Sequence, residues 1–249
     1  MMYLTEVKFA DVVKNQFKYK VKAYIGIFSS LLIVQVFGLL MSLNGSSSMG
    51  TVGNAFSLSL NNYTGNIVII FTMLWGFISA ITITTKAYKN DDFTFISNRL
   101  SRNLANIFFL ILASLIGGIT ALLSGYLLKV VMFFFVDEGF VILTNINITE
   151  IILGIFVTSL YMILLSSFGY FIGTVVQLSK WFKVLLPILF LSYLFLTANT
   201  SEETTLIVEI GEFYLNEDSL FIFFLKIFIT SILLFCFSIG LSNRMEVRQ

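Results

Sequence analysis

The chain contains no histidine, and only one cysteine and one proline among its 249 residues. Without histidine it lacks the commonest general base and the commonest side-chain metal ligand, and a serine–histidine–aspartate triad is impossible. Cys236 stands alone in the last apolar run, which excludes an intramolecular disulfide and a cysteine-held metal cluster. Its expected role is that of a small packing or lipid-facing side chain. No Gly-x-x-x-x-Gly-Lys-Ser/Thr sequence occurs, so the loop that cradles the phosphates of ATP is missing. Glu202 and Glu203 are adjacent carboxylates, yet they fall in the segment 199–219, which contains no arginine. Catalysis by this chain is not expected, nor is a metal or cofactor bound within it.

Charge is also scarce. Charged residues make up 12% of the chain against 57% hydrophobic, with 28 phenylalanines, whereas a soluble domain carries about twice that charged fraction. Apolar runs at 23–43, 66–84, 104–128, 151–176, 182–198 and 220–241 each approach the roughly 20 residues needed to cross a bilayer. Their length favours helices over barrel strands. The predicted fold is all-α: a single polytopic domain over 1–249 with six transmembrane helices. The runs hold almost no ionisable groups, which disfavours an ion-coupled carrier. No basic patch with interleaved aromatics is present, so no nucleic-acid partner is expected.

The cations that exist are segregated. Lys8, Lys14, Lys18, Lys20 and Lys22 precede the first run; Lys86, Lys89, Arg99 and Arg102 lie between the second and third. Lys180 and Lys183 lie between the fourth and fifth, and Arg244 and Arg248 follow the last. The alternate loops, 44–65, 136–149 and 199–219, contain neither lysine nor arginine. Translocation biased against cationic loops produces this pattern when both termini are cytoplasmic, which implies a multi-pass protein of the cytoplasmic membrane. Lys129 and Lys226 fall near the outer ends of apolar runs, where an ammonium can snorkel to water. Lys226 could alternatively pair with an outer acid such as Glu212 or Glu217.

Three shorter segments carry patterns of their own. Over 5–22, Phe9, Val12, Val13 and Phe17 recur at helical spacing with Lys8, Lys14, Lys18 and Lys22 mostly on other faces. This predicts an amphipathic helix in the inner interface whose lysines meet anionic lipid head groups; a basic leader that only sets orientation is the plainer alternative. In the loop 85–103, Asp91 or Asp92 can cap a short helix over 91–103. Phe93, Ile96 and Leu100 recur on it at three- and four-residue spacing beside Arg99 and Arg102. An apolar knob rimmed by positive charge suits docking into a groove on a cytosolic partner, and the alternative is a helix that packs on the membrane alone. The segment 199–219 carries Glu202, Glu203, Glu209, Glu212, Glu217 and Asp218 without a cation, and Leu206, Ile207, Ile210, Phe213 and Tyr214 give it helical periodicity. Small residues recur as Gly76 and Ala80, as Ala113, Gly117, Ala121 and Gly125, and as Gly169 and Gly173, stripes that let membrane helices approach closely.

The basic helix at Lys8 to Lys22, six runs, the Asp92 to Arg102 segment, a short basic loop between the fourth and fifth runs and a structured outer segment before the sixth together resemble the permease subunits of ABC-type exporters, of the compact six-helix kind found in Gram-positive bacteria. The resemblance implies that Asp92, Phe93, Phe95, Ile96, Arg99, Leu100 and Arg102 couple the membrane domain to an ATPase subunit. It implies an outer gate at Glu209, Glu212, Glu217 and Lys226. It also implies partners: a dimer of ATPase subunits holding the ATP and magnesium, a second copy of this permease or a different permease subunit, and membrane lipids. The expected cargo is amphipathic, a peptide or a lipid. A reading from another class is a non-transporting scaffold, or an immunity or sensor protein against membrane-active peptides, acting through the acidic outer segment.

Overall fold

The computed structural model describes residues 8–43, 47–52, 57–62, 64–85, 87–88, 98–135, 147–179, 181–199, 206–217 and 219–244. Helices α1 (Phe9–Ala23) and α2 (Ile25–Ser42) are followed by strands β1 (Ser47–Val52) and β2 (Ser57–Asn62), then by α3 (Asn66–Ile83) and α4 (Arg99–Phe135). Helices α5 (Ile148–Leu178), α6 (Phe182–Asn199), α7 (Leu206–Leu215) and α8 (Leu220–Arg244) complete the chain. The strands pair antiparallel, from Ser47 opposite Asn62 to Val52 opposite Ser57, an element that the all-α expectation did not include.

Among the described residues five helices are long and apolar enough to cross a membrane: α2, α3, α4, α5 and α8. Their outward faces leave large apolar side chains exposed, among them Ile33, Ile78, Phe134, Phe221 and Phe237. Surface of that kind is stable in lipid and not in water, and it marks a membrane protein. At 1.5 Å per residue, the 37 residues of α4 measure about 55 Å against a hydrocarbon core of about 30 Å, so this helix projects well beyond any bilayer it crosses.

Side-chain pairs fix the helix directions. Gln35 meets Thr72 and Trp75 meets Ser30, so α2 and α3 are antiparallel. Ser114 meets Ser166 and Tyr170 meets Asn103, so α4 and α5 are antiparallel. In contrast, Gly76 approaches Ser166 and Gly173 approaches Thr84, which makes α3 and α5 parallel. Helix α8 is also parallel to α5, since Tyr161 packs on Phe223 and Tyr170 on Phe235. A chain that leaves α5 at one end and enters α8 at the other must return the length of the bundle between them. Helix α6, with 18 residues and about 27 Å of rise, is the element of that stretch long enough to do so. It is exposed along most of its length and carries Pro187 inside it.

The tightest interface lies between α3 and α5, and small residues cause it. A methyl built on Gly169 would meet the Phe77 carbonyl oxygen and come 3.1 Å from the Ala80 Cβ; one on Gly173 would meet the Thr84 hydroxyl and lie 3.1 Å from the Ile81 Cα. Without a water-driven force between helices in lipid, such close backbone approach supplies much of the packing energy. Gly117 and Gly125 of α4 likewise face Met162 and Gly65. All three predicted small-residue stripes therefore lie inside this one bundle.

The segment expected to form an amphipathic helix is helical, as α1. Helices α1 and α2 meet at Tyr24 (φ −101°, ψ 29°), and one buried stripe runs through both: Val13, Gln16, Lys20, Tyr24, Ile27, Leu31 and Gln35. Lys14, Lys18 and Lys22 are exposed as expected. Lys20 is not: it is 1% exposed, with its ammonium 5.5 Å from the centre of the Tyr24 ring. The reason is that α1 packs along α4, which turns the face bearing position 20 inward.

Candidate functional site

The bundle has a cation-rich end, where Tyr24 between α1 and α2 packs on Tyr88 and α8 stops, and an acid-rich end bearing α7. At the first, α4 starts on Asn98, whose carbonyl accepts hydrogen bonds from the Arg102 amide (3.2 Å) and the Ser101 hydroxyl (2.7 Å). Arg99 Nη1 donates to the Asn243 carbonyl at 3.1 Å. That carbonyl lies in the last turn of α8, where helix geometry leaves acceptors unpaired. Of the predicted coupling residues, Arg99, Leu100 and Arg102 belong to the opening turn of α4, and no break separates them from the membrane-spanning part of that helix. Asp92, Phe93, Phe95 and Ile96 lie outside the described residues.

One turn further along α4 is a buried polar knot that joins four helices. The Tyr170 hydroxyl of α5 donates to Asn103 Oδ1 at 3.0 Å and accepts from Asn106 Nδ2 at 3.4 Å. Gln177 Nε2 donates to the Thr84 carbonyl just past α3, and the Thr174 hydroxyl donates to the Tyr170 carbonyl at 2.7 Å. With Arg102 and with Ser242 of α8, these residues surround a cavity of about 10 Å3. Three buried atoms of its lining have no partner among the described residues: Asn103 Nδ2, Asn106 Oδ1 and Gln177 Oε1. They present one donor and two acceptors, the complement of a single water molecule, and the volume is about that of one water. Exchanging O and N in both asparagines leaves this count unchanged.

Midway along the bundle the contacts are polar but uncharged. Gln35 Nε2 donates to Thr120 Oγ1 at 2.8 Å and to Thr72 Oγ1 at 3.3 Å, and Trp75 Nε1 donates to Ser30 Oγ at 2.9 Å. These bonds tie α2, α3 and α4 together and offer no fixed charge to a small ion.

At the acid-rich end, α7 packs on α8, and the Tyr161 hydroxyl of α5 donates to the Tyr214 carbonyl at 2.9 Å. Lys226 forms an ion pair with Glu217, donates to the Phe213 carbonyl at 3.2 Å and lies 4.0 Å from the centre of the Phe213 ring. Of the two partners expected for Lys226, Glu217 is the one seated on it. Glu209 and Glu212 are exposed on α7. Among the described residues no group of three or more histidine, cysteine or carboxylate side chains could hold a metal.

Sequence reasoning missed the polar knot. Its signal was the spacing of polar residues at the ends of apolar runs: Asn103 and Asn106 three apart, and Tyr170, Thr174 and Gln177 four and three apart, which puts each set on one helix face. Gln35 gave a similar signal as the one amide within α2. Comparison of the chain with models of known protein families, with curated proteins and with solved structures returns no match.

Proposed function

We propose that this chain is the membrane-spanning permease subunit of an ATP-driven exporter, working in the cytoplasmic membrane as half of a pathway with a second permease and powered by a separate ATPase dimer. The observation that carries the reading is the start of α4. Helix α4 begins directly after the 91–97 segment, its first turn grips the end of α8 through Arg99 and Asn243, and its second turn is knotted to α5 through Asn103, Asn106 and Tyr170. A push on residues 92–98 by a nucleotide-binding partner would act on the head of a 37-residue helix and reach α5 and α8 through these bonds, a rigid-body transition of the kind that switches transporters.

Two further features support it. The parallel course of α5 and α8 requires the chain to return along the bundle through α6, which favours six crossings with both termini on the cation-rich, cytoplasmic side. The middle of the bundle, around Gln35, Thr72 and Thr120, offers hydroxyl, amide and apolar groups, which suits an amphipathic peptide or lipid as cargo. Glu209 and Glu212, with the Lys226–Glu217 pair behind them, would form the outer gate and favour cationic substrates.

The test is affinity purification of the tagged chain from its native membrane. A nucleotide-binding ATPase should co-purify, and replacing Phe93 and Ile96 with aspartate should abolish the association while leaving membrane insertion intact, since unpaired carboxylates in an apolar groove cost several kcal/mol. Retention of the partner by the double variant would remove the docking assignment. A wild-type chain that brings down no ATPase would turn the reading toward a scaffold or immunity protein acting through its acidic end.

A further inference from the structure

Helices α1 and α4 leave an open groove of about 560 Å3 between them, within the size range of small-molecule sites. Its walls are apolar, with Phe9, Val13 and Phe17 on one side and Phe108, Leu112 and Leu115 on the other, and Lys14 is the one charged residue of the lining among the described residues. Lys14 also opens a row. Lys14, Lys18 and Lys22 follow one another at four-residue spacing and all are exposed, so their ammonium groups stand along one edge of α1. Within α1 they are opposed by a single acidic residue in the first turn, Asp11. An apolar trough flanking a membrane-spanning helix and edged by lysines matches a ligand with hydrocarbon at one end and negative charge at the other.

We propose that this groove is a specific site for an anionic phospholipid, with an acyl chain against Phe108 and Leu112 and the phosphate on the Lys14–Lys18 edge. A second copy of this chain is a poorer occupant, because its own lysine row would be brought against this one. An uncharged lipid would bring no negative charge to the Lys14–Lys18 edge, which Asp11 alone opposes within α1. The site differs from the general attraction of a basic helix to an anionic surface, which requires no groove and holds no lipid in one place. It would tie the stance of α1, and hence of α4, to the lipid composition of the leaflet, and it holds whether or not an ATPase partners the chain.

The test uses tryptophan fluorescence in reconstituted vesicles. With Trp75→Phe and Trp181→Phe removing both native tryptophans, Phe108→Trp places a reporter in the groove, and Phe228→Trp places a control on the exposed face of α8. In phosphatidylcholine vesicles, brominated phosphatidylglycerol should quench the groove reporter roughly fivefold more than brominated phosphatidylcholine at the same low mole fraction, the preference that one lysine–head-group contact supplies. The control should show no preference. Lys14→Gln with Lys18→Gln should abolish the preference, and about 0.5 M salt should reduce it in the chain with its lysines intact. Equal quenching of the groove reporter by both lipids would overturn the proposal, as would a preference that survives the lysine substitutions. Quenching by neither lipid would also overturn it, because a protein segment would then fill the groove, either a second copy or the chain's own first seven residues.

Discussion

Arg99 and Asn243 meet across 144 residues of sequence, the guanidinium Nη1 donating to the Asn243 carbonyl at 3.1 Å. The bond places a cation at the C-terminal end of α8, where unpaired carbonyls and the helix dipole both favour positive charge. It also fastens the first turn of α4 to the last turn of α8 at the end of the bundle where a cytosolic partner would push.

Arg99→Ala should therefore loosen the end of α8 without unfolding the protein. The bond is exposed and worth about 1 kcal/mol, so amide exchange in the last turn of α8 should quicken about fivefold while the midpoint of thermal unfolding in detergent barely moves. Hydrogen-exchange mass spectrometry of the 236–244 peptide reads this directly. Unchanged protection would mean that the contact does not hold the helix end.

Two glycine substitutions should act in opposite directions. Gly169→Ala drives a methyl against the Phe77 carbonyl in the α3–α5 interface, and an overpacked contact of this kind costs about 1–3 kcal/mol. Gly240 has nothing within 4 Å of where its Cβ would stand, so Gly240→Ala should gain up to about 1 kcal/mol through helix propensity. Unfolding of both variants in detergent checks the pair. Equal and small effects would contradict the close approach of α3 and α5.

The Lys226–Glu217 pair is open to a double-mutant cycle. The two side chains are 22% and 20% exposed, so solvent screens part of their attraction and a coupling of about 1 kcal/mol is expected. Lys226→Met should cost more than Glu217→Gln, because the lysine also serves the Phe213 carbonyl and ring. A coupling near zero would make Lys226 a snorkelling residue with no role in holding α7.

Topology can be read in intact cells carrying Cys236→Ser, since the native thiol is exposed. Cysteines at Ser47, Asp137 and Glu203 should react with an impermeant thiol reagent, and cysteines at Asn90 and Ser179 should not. Labelling at Ser179 from outside would break the alternation that the lysines and arginines imply.

The long helices and the cation-rich and acid-rich ends of the bundle were legible in the sequence because both rest on local properties, the length of an apolar run and the segregation of charge between runs. The continuity of α4 was not: the sequence separates a short helix over 91–103 from an apolar run that begins at Leu104, whereas one helix runs from Arg99 to Phe135. The β1–β2 hairpin was hidden in serine-rich sequence, although Ser57, Leu58, Ser59 and Leu60 do alternate with period two. The inward turn of Lys20 was beyond reach, because it depends on which neighbour α1 meets. The partner of Lys226 was within reach: the sequence narrowed it to Glu212 or Glu217, and the turn between α7 and α8 presents Glu217.

The most direct measurement of the central claim is a distance at the acid-rich end under ATP. With Cys236→Ser, a spin label at Leu127, exposed on α4, would report the separation between two copies of the chain in the proposed complex with an ATPase, reconstituted in lipid. Trapping the ATPase after hydrolysis should change that distance by about 5 Å or more, the scale of a helix displaced by one turn, and Phe93→Asp with Ile96→Asp should abolish the change. A distance distribution that is the same with and without ATP would contradict the reading of this chain as half of an ATP-switched pathway.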